Sequence, residues 1–186
     1  PATSGVAILT VNPRPVVTLT APSLNLQPGQ TSTITAGIQP AAPGFNITWF
    51  RNDTQIPGVT GTSFTADVTT LGDYRVAINN PTTGCSNQSQ VLTIGAQASQ
   101  RLFIYPNPST GQFTVSYYNS AWSNSRQTLT IYNSQGSRIY SAAFNLTGPY
   151  TLLPVNLNGA GGGVYLVVLG DTNGKKIIEG KVIIGH

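Results

Sequence analysis

Five carboxylates, one histidine and one cysteine are the carboxylate, imidazole and thiol groups this 186-residue chain offers for acid–base, nucleophilic or metal chemistry. The acids are Asp53, Asp67, Asp73, Asp171 and Glu179. Asp53 and Asp171 stand in turn sequences, and Asp73 stands in a Gly-Asp-Tyr stretch. Glycoside hydrolysis needs two carboxylates held roughly 5–10 Å apart across the bond to be cut, and no spacing here suggests such a pair. The single histidine, His186, sits at the end of the chain, so a Ser-His-Asp or Cys-His arrangement has no base to build on. Cys85 has no second cysteine to pair with, which rules out an internal disulfide and a cysteine-rich metal site. An oxygen-ligand calcium site calls for clustered acids, and these are dispersed. The fragment therefore reads as non-catalytic, with no cofactor and no metal. This reading leaves the activity of any longer parent open.

The positive balance is equally uninformative about chemistry. The net charge of +4 comes from a shortage of acids. The arginines are scattered, and Lys175, Lys176 and Lys181 gather near the end. A nucleic-acid surface needs a denser basic stripe with aromatics or a motif, so no nucleic-acid partner is expected. The lysines suit a solvated edge strand that discourages sheet-to-sheet pairing. Trp49 and the tyrosines are the residues that would stack on a sugar ring, but an aromatic in an apolar strand is expected in the core. Sequons at Asn46, Asn52, Asn87 and Asn145 are expected by chance in a chain so rich in Asn, Ser and Thr, and carry no weight.

The elements that must position these residues are strands. Only 8% of residues are charged, glycine and proline number 20 and 13, and methionine is absent. Good helix formers are scarce, and β-branched and aromatic residues recur in short blocks. That pattern predicts an all-β protein with many turns. The 39% apolar content is enough for cores and argues against disorder. No apolar run approaches the ~20 residues of a transmembrane helix. The start carries no signal-peptide pattern, so an exported protein would be represented here by a mature fragment.

Residues 1–13 read as the last strand of a preceding repeat or an extra strand, followed by the linker-like Asn12-Pro13-Arg14-Pro15. Residues 14–95 form short strands between turn signals: Val16–Thr20, Thr31–Ile38, Asn46–Arg51, Ser63–Val68 and Leu71–Ile78, then a last strand ending at Ile94. Trp49 and Gly72-Asp73-Tyr74 resemble the immunoglobulin pattern of a buried tryptophan and a tyrosine corner. The disulfide of that pattern is missing. Val76 stands at one cysteine position, and Ile34 or Ala36 in the partner region. Residues 96–101 are a second linker.

Residues 102–186 predict a second sandwich. Strands are expected near 102–105, 112–118, 127–132, 137–144, 150–157, 163–169 and 175–184. Asn133-Ser134-Gln135-Gly136 and Asp171-Thr172-Asn173-Gly174 read as hairpin turns. Val164–Leu169 is apolar on both faces and reads as a central strand. The corner at Tyr105-Pro106-Asn107-Pro108-Ser109-Thr110-Gly111 excludes helix, because proline fixes φ, lacks an N–H and forces the preceding residue into an extended conformation. On physics alone it is first a structural turn. Tyr165 is first a packing residue.

Three features stand in order: Tyr-Pro-Asn-Pro-x-x-Gly at 105–111, Ile131-Tyr132-Asn133-x-x-Gly136, and Gly163-Val164-Tyr165-Leu166-Val167, followed by a lysine-bearing final strand. Together they resemble the type A C-terminal sorting domain of the Bacteroidota type IX secretion system, over about residues 102–184. The resemblance implies a folded signal that crosses the periplasm and is read by translocon or shuttle components. It also implies removal by a sortase-like protease that joins the cargo to a lipopolysaccharide anchor, leaving it at the cell surface or outside. It places recognition on Pro106, Asn107, Pro108, Gly111, Gly163, Val164, Tyr165 and Lys181. Members often end in a basic or apolar residue, whereas Gly185-His186 closes this chain. The upstream half resembles the immunoglobulin-like or PKD-like modules that precede such domains. The alternative, from a different class, is a cell-surface adhesin or carbohydrate-binding fragment.

Overall fold

A computed structural model describes residues 14–41, 44–123 and 125–185; the expected strand within residues 1–13 lies outside the described residues. The described part contains strands and turns and no helix. Its first nine strands are β1 (Val16–Thr20), β2 (Asn25–Leu26), β3 (Ser32–Gln39), β4 (Asn46–Arg51), β5 (Thr54–Gln55), β6 (Ser63–Ala66), β7 (Gly72–Asn79), β8 (Ser86–Gln88) and β9 (Leu92–Ala96). One antiparallel sheet runs β1-β3-β6, and a second runs β9-β7-β4-β5 with β8 also on β7.

The alternation of side chains fixes which face is inside. In β3, Ser32, Ile34 and Ala36 are buried while Thr33, Thr35 and Gly37 are exposed, the period of a half-buried strand. Trp49 is fully buried, and its indole N–H donates to the Gly61 carbonyl at 2.8 Å. Phe64 packs on Trp49 and on Tyr74, with ring centroids 6.1 and 5.4 Å apart. Val76, at one cysteine position of the immunoglobulin pattern, and Ile34 and Ala36, in the partner region, are all buried. These positions are apolar core instead of a disulfide. β2, β5 and β8 were not expected from the sequence, because two- and three-residue strands carry no period.

The chain divides into two compact units. Among the described residues, one comprises those up to Leu24, Ser32–Ala66 and Leu71–Gly95, and the other comprises Asn25–Thr31, Asp67–Thr70 and those from Ala96 on.

The second sandwich contains β10 (Phe103–Tyr105), β11 (Gln112–Ser116), β12 (Arg126–Tyr132), β13 (Arg138–Asn145), β14 (Leu153–Asn156), β15 (Gly163–Gly170) and β16 (Lys176–Ile184). Its sheets run β10-β11-β14 and β13-β12-β15-β16. All the expected strands form, and β15 is central as its two apolar faces predicted. The core packs Phe113, Val115, Leu153 and Val155 with Leu129, Ile131, Tyr165, Val167, Leu169, Val182 and Ile184.

Both hairpin turns use one device. The side-chain oxygen of Asn133 accepts the N–H groups of Gln135 and Ser137, and that of Asp171 accepts those of Asn173 and Lys175, all at 2.9–3.0 Å. The glycine that closes each turn has φ of +77° and +78°, a left-handed conformation that other residues adopt at a cost. Asp171, a potential catalytic acid by type, is thereby a turn cap.

Candidate functional site

The proline-rich corner is attached to the last strand. After β10 the chain leaves its own sheet, and Pro106, Asn107 and Pro108 are exposed, with both X–Pro peptides cis. The Asn107 amide then acts as a strand partner. Its Nδ2 donates to the Lys181 carbonyl at 3.0 Å, and its Oδ1 accepts the Ile183 N–H at 2.9 Å. Ser109 continues the contact, donating its N–H to the Ile183 carbonyl at 2.8 Å and accepting the Gly185 N–H at 2.9 Å. Ser109 and Ile184 form an isolated parallel bridge. The edge of β16 is therefore closed from Lys181 to Gly185 by the corner itself.

Ser109 and Gly111 lock the corner from inside. Ser109 is buried; its hydroxyl donates to the Gln112 carbonyl at 2.8 Å and accepts the Gly111 N–H at 3.1 Å. Gly111 has φ +110°, and a Cβ there would lie 3.1 Å from Asn158 Oδ1 and 3.2 Å from the Leu157 carbonyl oxygen. Only glycine meets both demands.

The third motif reaches the same place from the other side. Gly163, Val164 and Tyr165 pair with Ile184, Ile183 and Val182 across β15–β16. Tyr165 is buried, and its hydroxyl donates to the Gly161 carbonyl at 2.5 Å. Val164 and Ile183 stand side by side on the outer face, 49% and 46% exposed. Of the residues that the resemblance singled out, Pro106, Asn107, Pro108, Gly163, Val164 and Lys181 are exposed, and Gly111 and Tyr165 are buried. All but Pro106 and Pro108 bond to, pair with or lie within elements that hold the end of β16. Gly111 does so through Ser109. The middle motif does not reach that end: Ile131 is core and Asn133 caps a turn.

Two contributors escaped the sequence reading. Ser109 passed as ordinary turn chemistry, although Ser-x-Gly after a proline is the signature of a hydroxyl-capped turn. Gly180 lies on the inner side of β16, where a Cβ would come within 3.0 Å of Ile104 Cδ1 and 3.1 Å of Leu102 Cδ2. A glycine inside a strand is the sequence signal for such an approach.

The other acids are occupied structurally. Asp53 pairs with Arg75 at 3.1 Å, Glu179 with Lys176 at 3.1 Å, and Asp73 accepts the Thr93 hydroxyl at 2.6 Å. Trp49, one of the aromatics weighed for a sugar platform, is in the core. No helix of the described residues is long and apolar enough to cross a membrane.

Residues 103–185, nearly half the chain, match the secretion system C-terminal sorting domain family. No curated protein matches the chain. Among solved structures it is similar to the three N-terminal domains of the bacteriophage RB49 highly immunogenic outer capsid protein, at 14% identity and TM-score 0.43 over 91% of this chain and 58% of that one. It is also similar to dimeric latent PorU from Porphyromonas gingivalis, at 15% identity and TM-score 0.37 over 91% of this chain and 20% of that one. Fibronectin(III)-like modules of Clostridium thermocellum CbhA align at 16% identity and TM-score 0.33 over 90% and 92%. The chain spans little more than half of the capsid structure and a fifth of the PorU structure. Likenesses this distant carry no statement about function.

Proposed function

We propose, from the premise that residues 103–185 are a C-terminal sorting domain of the type IX secretion system, that this fragment works by recognition and performs no chemistry of its own. The sorting domain marks a secreted cargo, delivered to the cell surface or the medium. In this reading the cargo passes through the periplasm with its tail folded. The export machinery reads the tail's surface, a sortase-like protease removes it, and the cargo is released or joined to lipopolysaccharide. The immunoglobulin-like sandwich before it is a spacer.

One observation carries the reading: the first and third family motifs, some fifty residues apart in sequence, flank the same end of β16. A signal so built exists only when the sandwich is folded. The occupation of the acids by turns and ion pairs supports the non-catalytic role. The adhesin alternative has no such support, and one of its candidate anchors, Trp49, is buried.

The test is a reporter joined to the N-terminus of the 186-residue chain in a Bacteroidota host, with and without a working translocon. Export is expected only with the translocon, and it is expected to cease when the chain stops before Lys175, which removes β16. Export without the translocon, or undiminished export of the truncated chain, would overturn the reading.

A further inference from the structure

A sandwich has four sheet edges, and this sorting domain blunts three of them. β10 is three residues long and runs into Pro106. β14 is four residues long and contains Pro154, whose missing N–H suits only an outward-facing position. β16 is covered by Asn107 and Ser109 over its last residues and carries Lys176 and Lys181 along its length. Short strands, proline, lysine and a covering loop are the devices by which proteins keep edges from pairing. The fourth edge, β13, is the least protected among the described residues: its one charge, Arg138, and a bulge at Ile139 sit at its start, and from Tyr140 to Asn145 it carries no such device. It runs eight residues, Arg-Ile-Tyr-Ser-Ala-Ala-Phe-Asn, without proline or lysine.

Which backbone groups of β13 are free follows from the register. Asn107 and Ser109 bond Lys181, Ile183 and Gly185, so the odd residues of β16 point away from β15 and the even ones bond it. Gly180 pairs with Val167, Val168 with Thr130, and Ile131 with Tyr140. Carried across the sheet, the alternation assigns Tyr140, Ala142 and Phe144 to the bonds with β12. The Leu146 N–H donating to the Ser125 carbonyl at 2.9 Å keeps the same phase. Ser141, Ala143 and Asn145 therefore direct their N–H and C=O groups outward, and among the described residues no backbone group bonds them. Their side chains are small and exposed. Beside the start of β13 a groove of about 460 Å³, lined by Ile139, Tyr140, Asn156, Asn158 and Tyr165, has room for one large side chain.

We propose that the edge of β13 is the docking site of this domain, and that its occupant is an extended segment of the export machinery that adds as a further strand. The proposal rests on the sorting reading and commits it to a strand edge instead of loops. Alternating donors and acceptors at strand spacing are satisfied by another extended polypeptide. The three blunted edges direct that polypeptide to β13.

Proline is the discriminating probe. At positions 141 and 143 it removes an outward N–H and leaves the ladder to β12 intact, so the fold tolerates it. The reporter carrying the full chain is made as Ser141→Pro, Ala143→Pro, Ala143→Lys and Ala143→Val, and each purified chain is checked by circular dichroism. Export is expected to fall at least tenfold for the proline and lysine variants and to stay at the wild-type level for Ala143→Val, which keeps the N–H. Should a proline variant not fold, Ala143→Lys, with an unchanged backbone, decides alone. Normal export of a folded proline or lysine variant, with the wild type exported, overturns this proposal and leaves the sorting reading standing. A chain that sediments as a dimer, becomes monomeric in Ala143→Pro and is still exported assigns the edge to a second copy and equally overturns it. A wild-type fusion that stays in the cell, or leaves it without the translocon, overturns the sorting reading and this proposal with it.

Discussion

Asn107 is the residue on which the corner turns, because its one amide supplies both halves of a missing strand. Two hydrogen bonds at a solvent-accessible edge contribute about 0.5–1.5 kcal/mol each. Asn107→Ala is expected to lower the unfolding free energy by about 1–2 kcal/mol in urea titration. Asn107→Asp keeps the acceptor for Ile183 but sets an oxygen against the Lys181 carbonyl, and is expected to lose at least as much. If either variant stops export with its urea midpoint unchanged, the amide touches the machinery and is more than a cap. Asp67 gives a pH signature instead. Its carboxylate accepts the Thr69 N–H at 2.8 Å and the Thr69 and Thr70 hydroxyls at 2.7 and 3.2 Å. Burial pushes its pKa up, but these donors outweigh burial and hold it below the ordinary 3.8. A folded value below the unfolded one stabilises above that range, and the contribution is lost as pH falls through the folded value. The stability gap between wild type and Asp67→Ala is therefore expected to be full at neutral pH and to close as pH drops from about 5 towards 2.

At the scale of the element, the last strand is held on three sides, and each hold was visible to a different degree. Its pairing with β15 was legible, because Asp171-Thr172-Asn173-Gly174 reads as the hairpin turn between the two strands. The strands of the second sandwich were legible because apolar blocks, alternating as at Phe113–Tyr117 or continuous as at Val164–Leu169, are separated by turn signals such as Asn133–Gly136 and Asp171–Gly174. The closure of its edge by Asn107 was not, since that amide bonds a residue 74 positions away and no local period records such a contact. Nor was the packing of Leu102 and Ile104 over Gly180, although the glycine marked the place. Gly180→Val is expected to cost about 1–3 kcal/mol by driving a branched side chain into those two, measurable as a lower melting temperature. A variant as stable as wild type would mean that β10 yields without loss. In the first sandwich Trp49, Tyr74 and the apolar replacement of the cysteines were readable for the same reason that β2, β5 and β8 were not: a large buried side chain leaves a pattern, and a two-residue strand does not.

At the scale of the whole molecule, the question is whether the signal needs anything upstream of it. The core of the second sandwich is drawn from Phe113 to Ile184, with Leu102 and Ile104 packed against it. The motif contacts lie in the same span: Asn107 with Lys181 and Ile183, Ser109 with Gly185, Gly163 with Ile184. Among the described residues, none before Leu102 is in that buried cluster or makes those bonds. The immunoglobulin-like sandwich has its own buried set in Val17, Ile34, Trp49, Tyr74, Val76, Ile78 and Ile94. Burying aliphatic and aromatic side chains of this size contributes about 1.5–3 kcal/mol each, so the core on either side of the linker is of the kind that sustains a domain. Removing residues 1–95 is therefore expected to leave a reporter fused to the remainder exported at close to the wild-type level, with a cooperative melt. Removing 102–186 and keeping the first sandwich is expected to abolish export. The pair of deletions is read by the fraction of reporter outside the cell in hosts with and without the translocon. Loss of export in the first deletion, with the remaining domain shown to be folded, would place part of the signal in the immunoglobulin-like half and make that half more than a spacer.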